Sequence, residues 1–255
     1  MDDFCIITIN IRGLKRRYRD LTAFLAARRP HIVLLQDTLL SPNQRAAIHG
    51  YTRLRADRNP PAQGTAIYVR SDAVAREFTL PDVPFEAQAI LVRIGANELL
   101  LINAYVSPQG QLPAHELQRI LSLRAPTLLI GDLNARHTAW HCPATSRRGR
   151  ALLRLIQQEN LSLHHPEEPT FYPAAPNYRP SVLDVAVGRD LPFVIHTSVH
   201  HQLDSDHLPV EYLLTSALPR PLPAPRRRNY AKADWTQYRQ ILHESTIPQR
   251  FSSRE

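Results

Sequence analysis

Residues Phe4 to Asn10 place branched and aromatic side chains in an alternating, β-rich run, and the period of two predicts a strand. Between Asp20 and Arg29, Leu21, Phe24 and Leu25 recur at helical spacing until Pro30 stops the pattern, so a helix follows. Ile32, Val33, Leu34 and Leu35 then make His31 to Gln36 a compact apolar run, the signature of a strand covered on both faces. Further strands are predicted at Thr65 to Arg70, Ala87 to Ile94, Glu98 to Val106 and Thr127 to Gly131, with a short helix over Ala114 to Leu123. An amphipathic helix over Arg148 to Asn160 turns Leu152, Leu155 and Ile156 inward, and strands follow at Val182 to Val187, Phe193 to Val199 and Leu208 to Leu214. Strands outnumber helices, and the helices are scattered among them. That arrangement predicts two sheets packed face to face with helices outside, rather than a regular βαβ alternation.

Composition sets the boundaries of this picture. A chain of 255 residues that is 43% hydrophobic can bury one large core, which is expected over residues 1 to 216. From Ala217 the chain changes character: Pro219, Pro221, Pro223 and Pro225 alternate with Arg220 and lead into Arg226, Arg227 and Arg228, as in an extended polyproline II linker. Trp235, Tyr238, Ile241 and Leu242 return to helical spacing over Ala233 to His243, as if a further module began there. The longest apolar run, Leu99 to Val106, is far short of the ~20 residues a bilayer crossing needs, so no membrane partner is expected. Cys5 and Cys142 form no closely spaced pair, which speaks against a zinc ribbon or a disulfide scaffold. The net charge of +8 suits a polyanionic partner, but residues 217 to 255 carry eight Lys/Arg against three Asp/Glu, leaving only +3 on residues 1 to 216.

Chemistry concentrates in five short segments. Ile9-Asn10-Ile11, Leu35-Gln36-Asp37-Thr38, Ile130-Gly131-Asp132-Leu133-Asn134 and Ser205-Asp206-His207-Leu208-Pro209 each place acidic or amide groups where a strand should end. The fifth, Ser181-Val182-Leu183-Asp184-Val185, sets a carboxylate within an apolar strand, where it needs a partner, and His207 is a natural one. Phosphodiester cleavage needs a cation to polarise the phosphate, a base to align a water, and a group to stabilise the charge that develops. Asp37 with Asn10 suits a hard cation, Asp132 with Asn134 suits the water, and His207 held by Asp184 suits the phosphate. Taken alone, GDLN is a strand-ending turn with Gly131 and Asn134 chosen for positive φ. Five such segments in order are much harder to assemble by chance.

In that order the sequence resembles the endonuclease/exonuclease/phosphatase superfamily. The segments are Asn10, LQDT at 35 to 38, Tyr105 in NAYV, GDLN at 131 to 134, SVLD at 181 to 184 and SDHLPV at 205 to 210, over about residues 4 to 215. The resemblance implies a four-layered, DNase I-like α/β sandwich, phosphoester hydrolysis and dependence on Mg²⁺, with Mn²⁺ as a substitute. It puts the metal ligand on Asp37 and its neighbouring amide on Asn10, and the phosphate-contacting tyrosine on Tyr105. The nucleophile-orienting pair falls on Asp132 and Asn134, and the Asp-His couple on Asp184 and His207, with Asp206 beside it.

NIRGLKRRYRDL, GTAIYVR at 64 to 70, GDLNARHTAWH, PTFYP at 169 to 173 and KADWTQYRQ at 232 to 240 look most like the endonuclease of a Jockey-like non-LTR retrotransposon. That implies nicking of double-stranded chromosomal DNA in the nucleus, leaving a 3′-hydroxyl that primes reverse transcription. The partners would be the element's RNA and a reverse transcriptase domain in the same polyprotein. Arg136, His137, Trp140 and His141 would lie near the DNA, with His196, His200 and His201 on a second loop. Two positions depart from the family. Asp37 stands where Glu is usual, a carboxylate drawn back by ~1.5 Å, and Arg12 replaces an acidic residue found in some relatives, which points to one metal. The rival readings are an apurinic/apyrimidinic repair endonuclease and a DNA-binding domain whose catalysis has decayed.

Overall fold

In a computed structural model, residues 3–57, 63–174, 179–216 and 234–244 are described. The chain divides into two compact units, Met1–Ala217 and Leu218–Glu255. In the first, strands β1 (Phe4–Asn10), β2 (Ile32–Gln36), β3 (Tyr51–Ala56), β4 (Thr65–Arg70), β11 (Phe193–Val199) and β12 (Val210–Ser216) form one sheet in the order β11-β12-β1-β2-β4-β3. Strands β5 (Ala75–Phe78), β6 (Glu86–Ile94), β7 (Asn97–Tyr105), β8 (Thr127–Asp132), β9 (Ser162–His164) and β10 (Asp184–Arg189) form the other, in the order β5-β6-β7-β8-β10-β9. Within each sheet one pair is parallel, β1 with β2 and β7 with β8, and the rest are antiparallel. Helix α1 (Leu14–Arg28) covers the first sheet, and α2 (Ala114–Leu121) and α3 (Arg147–Gln158) cover the second. This is the four-layered α/β sandwich.

Strand periodicity explains the layers. On β1, Ile6 faces the space between the sheets, where it meets Ile32 and Leu34 from its own sheet and Leu101, Leu128 and Ile130 from the other. Ile7 and Ile9 point the opposite way, onto Leu21, Phe24 and Leu25 of α1. The same alternation in β7 and β8 sends Leu100, Ile102 and Leu129 under Leu117 of α2 and Leu152 of α3. β2 is buried at all five positions, as its unbroken apolar run predicts.

Several boundaries differ from the pattern-based expectation. Helix α1 begins six residues before Asp20, because the backbone N–H groups of Gly13 and Leu14 are held by the carbonyls of Asp37 and Thr38 and the polar stretch after them simply faces water. β3, β5 and β9 have no counterpart in the hydrophobic pattern: all three are sheet edges, short or half-exposed, and lack a clean apolar face. The last strand starts at Val210 rather than Leu208, since Pro209 has no N–H to give a ladder. In the second unit, Asp234 caps α4 (Trp235–Glu244) by accepting the N–H groups of Thr236 and Gln237. The Pro-Arg linker predicted from Ala217 lies outside the described residues up to 233. Among the described residues no helix is long and apolar enough to cross a membrane.

Candidate active site

The strands named above end together. Asn10 closes β1 opposite Gln36, the last residue of β2. Asp132 closes β8 opposite both Tyr105, the last residue of β7, and Asp184, the first residue of antiparallel β10. Asp206 and His207 lie in the turn just before β12, which pairs with β1. Each acidic or amide group therefore reaches one end of the sandwich from a different strand, and the two sheets contribute about equally.

A continuous chain of side chains links the sheets there. Asn10 Nδ2 donates to Asp132 Oδ2 at 3.0 Å. His207 Nε2 lies 3.8 Å from that oxygen, and its Nδ1 pairs with Asp184 Oδ2 at 2.9 Å. Asp184 is further held by Thr170, whose hydroxyl donates to Oδ2 at 2.6 Å and accepts the backbone N–H groups of Leu183 and Asp184. Asp132 Oδ1 accepts the N–H of Asn134 at 2.9 Å, and Phe171 packs against the His207 ring at 4.7 Å. Burial holds the Asp132 carboxyl above the usual carboxylate range. Burial also works against a charged His207, but the charge and hydrogen bond of Asp184, joined by Asp132 and Asp206, push its pKa up to about 9. At neutral pH the imidazole is therefore a cation held between two carboxylates. Tyr105 stays a neutral phenol, since burial and the charges of Asp132 and Asp37 raise its pKa to about 12.

Two cavities lie at these strand ends. One, about 440 Å³, is lined by Asp37 and Asp206 together with Arg12, Arg16, Arg17, Leu39 and Ala174. The other, about 360 Å³, is lined by His207, Asn134, Arg136 and Arg148 with Pro108, Ser146, Phe171 and Leu183. Asp37 sits just past β2 with positive φ, its carboxyl raised by burial against the pull of Arg12 and His207. Asp206 ion-pairs with Arg12 through Oδ2 and leaves Oδ1 buried without a hydrogen-bond partner. Among the described residues no three His, Cys, Asp or Glu side chains form a ready-made metal cage. An orphaned carboxylate oxygen, a half-buried Asp and an amide fit a hard cation that keeps most of its waters; they do not fit tetrahedral zinc.

Two predicted DNA contacts are corrected. Trp140 is fully buried, with Nε1 donating to the carbonyl of Ala135, so it is a core residue of the loop. His200 is only 9% exposed, bonded to Glu211 at 3.1 Å and packed edge-on to Phe24. A tryptophan in a largely polar loop and a histidine in a His-rich loop read as surface groups, yet both fill space. His137 mainly caps the short turn Thr138–Trp140, and Arg136, half-buried, reaches Ser181 while lining the second cavity. Gly131 holds positive φ as expected, but inside β8 rather than in a turn, and a Cβ there would stand 1.8 Å from the carbonyl of Ala104, so the close approach of β7 also requires glycine. Asn134 does adopt positive φ. Thr170, within PTFYP, and Arg148 carry no acidic or amide signal at a strand end, so the sequence pattern does not mark them as parts of the site.

The architecture defines a class: a DNase I-like sandwich whose strand ends meet in an Asp-His-Asp-Asn chain. Residues 99–211 match the family model described as endonuclease-reverse transcriptase. The chain is 27% identical over 235 residues to the probable RNA-directed DNA polymerase from transposon BS of Drosophila melanogaster, covering 89% of this chain and 26% of that protein. It is 25% identical over 206 residues to the RNA-directed DNA polymerase from mobile element jockey of Drosophila funebris, covering 78% and 22%. The chain thus spans about a quarter of the length of these curated relatives.

Among solved structures, the endonuclease domain of TRAS1, a telomere-specific non-LTR retrotransposon, superposes with a TM-score of 0.72 at 19% identity, over 85% of this chain and 100% of that one. The AP endonuclease LMAP from Leishmania major does so with a TM-score of 0.65 at 16% identity, over 83% and 87%. The fold is that of the endonuclease/exonuclease/phosphatase superfamily, and within it the chain resembles the endonuclease domain of a Jockey-like non-LTR retrotransposon.

Proposed function

We propose that residues 1–216 are a Mg²⁺-dependent endonuclease that nicks double-stranded DNA by phosphodiester hydrolysis, leaving a 3′-hydroxyl from which a retrotransposon's RNA is reverse-transcribed. The observation that carries this reading is the buried chain Asn10–Asp132–His207–Asp184, which joins the two sheets beside a cavity lined by Asp37, Asp206 and three arginines. Asp132 takes the proton of the attacking water, which Asn134 helps to orient. His207, kept cationic and oriented by Asp184, donates Nε2–H toward the scissile phosphate as negative charge grows there, and the Tyr105 hydroxyl donates to the same group. Asp37 and Asn10 would hold the divalent ion, with Asp206 as a further oxygen donor, and a bound ion would supply Lewis-acid polarisation of the phosphate. Arg136 and His137 line the path of the DNA, and Arg12 and Arg16 meet its phosphates on the other side. Residues 217–255 lead toward a reverse transcriptase domain of the same polyprotein, and the site of action is the nucleus.

A second reading, cleavage at base-free sites, is favoured by the apolar faces of Phe171, Leu183 and Pro108 in the 360 Å³ cavity beside His207. A single assay separates the two. Intact supercoiled plasmid and an oligonucleotide with one abasic site are incubated with the protein and Mg²⁺, and the nicked ends are tested for extension by a polymerase. Relaxation of the intact plasmid with extendable ends, lost on Asp132→Ala or His207→Ala in folded protein, is the expected result. Cutting confined to the abasic site reverses the order of the two readings, and nicking that survives both substitutions overturns the site.

A further inference from the structure

Arg148, the second residue of α3, is a buried cation that the proposed reaction does not use, with 7% of its surface exposed. Its guanidinium meets backbone carbonyls: Nε donates to Asn134 at 3.0 Å, Nη2 to Leu133 at 2.8 Å and Val106 at 3.4 Å, and Nη1 to Gln109 at 3.4 Å. Among the described residues no carboxylate pairs with it at ion-pair distance. Taking an unpaired cation out of water is costly, and a loop staple needs only a neutral donor. What a guanidinium adds is a rigid planar fork whose donors bind several acceptors in fixed relation.

The acceptors are the point. Leu133 and Asn134 follow Asp132 directly, and Val106 follows Tyr105. The Asn134 side chain donates to the Val106 carbonyl at 3.2 Å, and the Val106 N–H donates to the Asp132 carbonyl at 2.9 Å, so the fork closes a ring that already joins the two strand ends. Neighbours of Arg148 serve its placement. A Cβ on Gly149 would stand 1.8 Å from the Arg136 carbonyl, so only glycine lets α3 approach this closely. The Ser146 hydroxyl caps the helix on Gly149 N–H and accepts the N–H of Arg136. The helix start is thereby pinned to the chain two residues past Asn134, and the fork reaches the cavity that also contains His207.

We propose that Arg148 is a positioning residue, whose fork sets the Asp132–Asn134 turn against Tyr105 and His207 for hydrolysis; this rests on the nuclease reading above. The test compares the parent with Arg148→Ala and Arg148→Lys in plasmid nicking at saturating Mg²⁺, alongside hydrogen exchange of the Asn134 amide, which bonds Asp132 Oδ1. Arg148→Ala is expected to lower kcat by about 100-fold with KM for DNA little changed, the loss that follows from a misplacement of about 1 Å. Arg148→Lys, which keeps the charge without the fork, recovers little of it. Added guanidinium ion restores kcat of the alanine variant while methylammonium does not, and the Asn134 amide exchanges faster in both variants. Parent-like kcat in Arg148→Lys, or a loss that falls only on KM or on melting temperature, overturns the proposal. A parent that does not nick overturns the nuclease reading instead, and the exchange arm still decides: an Asn134 amide as protected in Arg148→Ala as in the parent shows that the fork positions nothing.

Discussion

The two walls of the site are built on opposite principles. On the second sheet's side, Asp132, Asn134 and Asp184 sit at or next to regular strand ends, buried or nearly so, with Thr170, Asn10 and the neighbouring backbone meeting most of their polar atoms. On the first sheet's side Asn10 and His207 are buried as well, but around them Arg12, Asp37 and Leu39 all hold positive φ without being glycine, Leu39 presents an apolar side chain that is 41% exposed, and Arg16 faces water. Backbone strain of this kind survives where the surroundings over-determine it, here through the bonds from Gly13 and Leu14 N–H to the Asp37 and Thr38 carbonyls. On the proposed reading the contrast is a division of labour: the groups assigned to proton transfer are fixed in advance, and those assigned to a cation or a phosphate chain remain reachable. Substitutions on the closed wall should therefore act on the chemical step, and those on the open wall on occupancy.

The sharpest break would come from Asp184→Asn. It removes the charge that keeps His207 protonated, and single-turnover nicking is expected to fall by about a thousandfold while DNA binding persists. A loss of binding instead would mean that the walls are not separable. Next in size, Asp37→Ala should raise the Mg²⁺ concentration for half-maximal rate by about tenfold or more, read from metal titrations, with the same plateau of bound DNA. Thr170→Val deletes a hydroxyl from a buried carboxylate and should cost roughly 1.5 to 3 kcal/mol in urea unfolding.

The pH dependence is gentler and has a definite sign. The folded pKa of His207, about 9, lies above its ordinary value of 6.5, so its contribution to stability is complete below pH 6.5 and is lost as pH rises through 9. Melting temperature should decline over that interval in the parent and stay flatter in His207→Gln, and kcat should fall on the same alkaline limb. The smallest effect belongs to Arg16→Ala: a few-fold weaker DNA binding, with the slope of log K against log salt reduced by about 0.9. An unchanged slope would take Arg16 off the phosphate path.

Most of the framework was readable from periodicity, because buried strands such as Ile32–Gln36 have no other way to be apolar throughout. The site was readable because acidic and amide residues recur where those strands end. What escaped has physical causes in each instance. Edge strands such as Ala75–Phe78 face water on one side and carry no hydrophobic stripe. Trp140 looks like a recognition residue beside His137 and His141, but its indole satisfies its donor on Ala135 and vanishes into the core. Arg148 reads as one more surface arginine among Arg147 and Arg150, and only the three-dimensional meeting of three chain segments reveals carbonyls waiting for it.

Beneath the strand ends runs a further cross-layer seam: Gln36 donates to both Thr8 and Asn103, and Asn103 in turn donates to the carbonyls of Leu35 and Ala66 in the facing sheet. Since Asn10 and His207 belong to one layer and Asp132 and Asp184 to the other, reactivity becomes a gauge of how faithfully the two layers keep station. On the proposed reading, a mild core substitution at Ile6 or Leu101 is expected to shift one layer over the other and lower nicking while the far-ultraviolet spectrum still looks native.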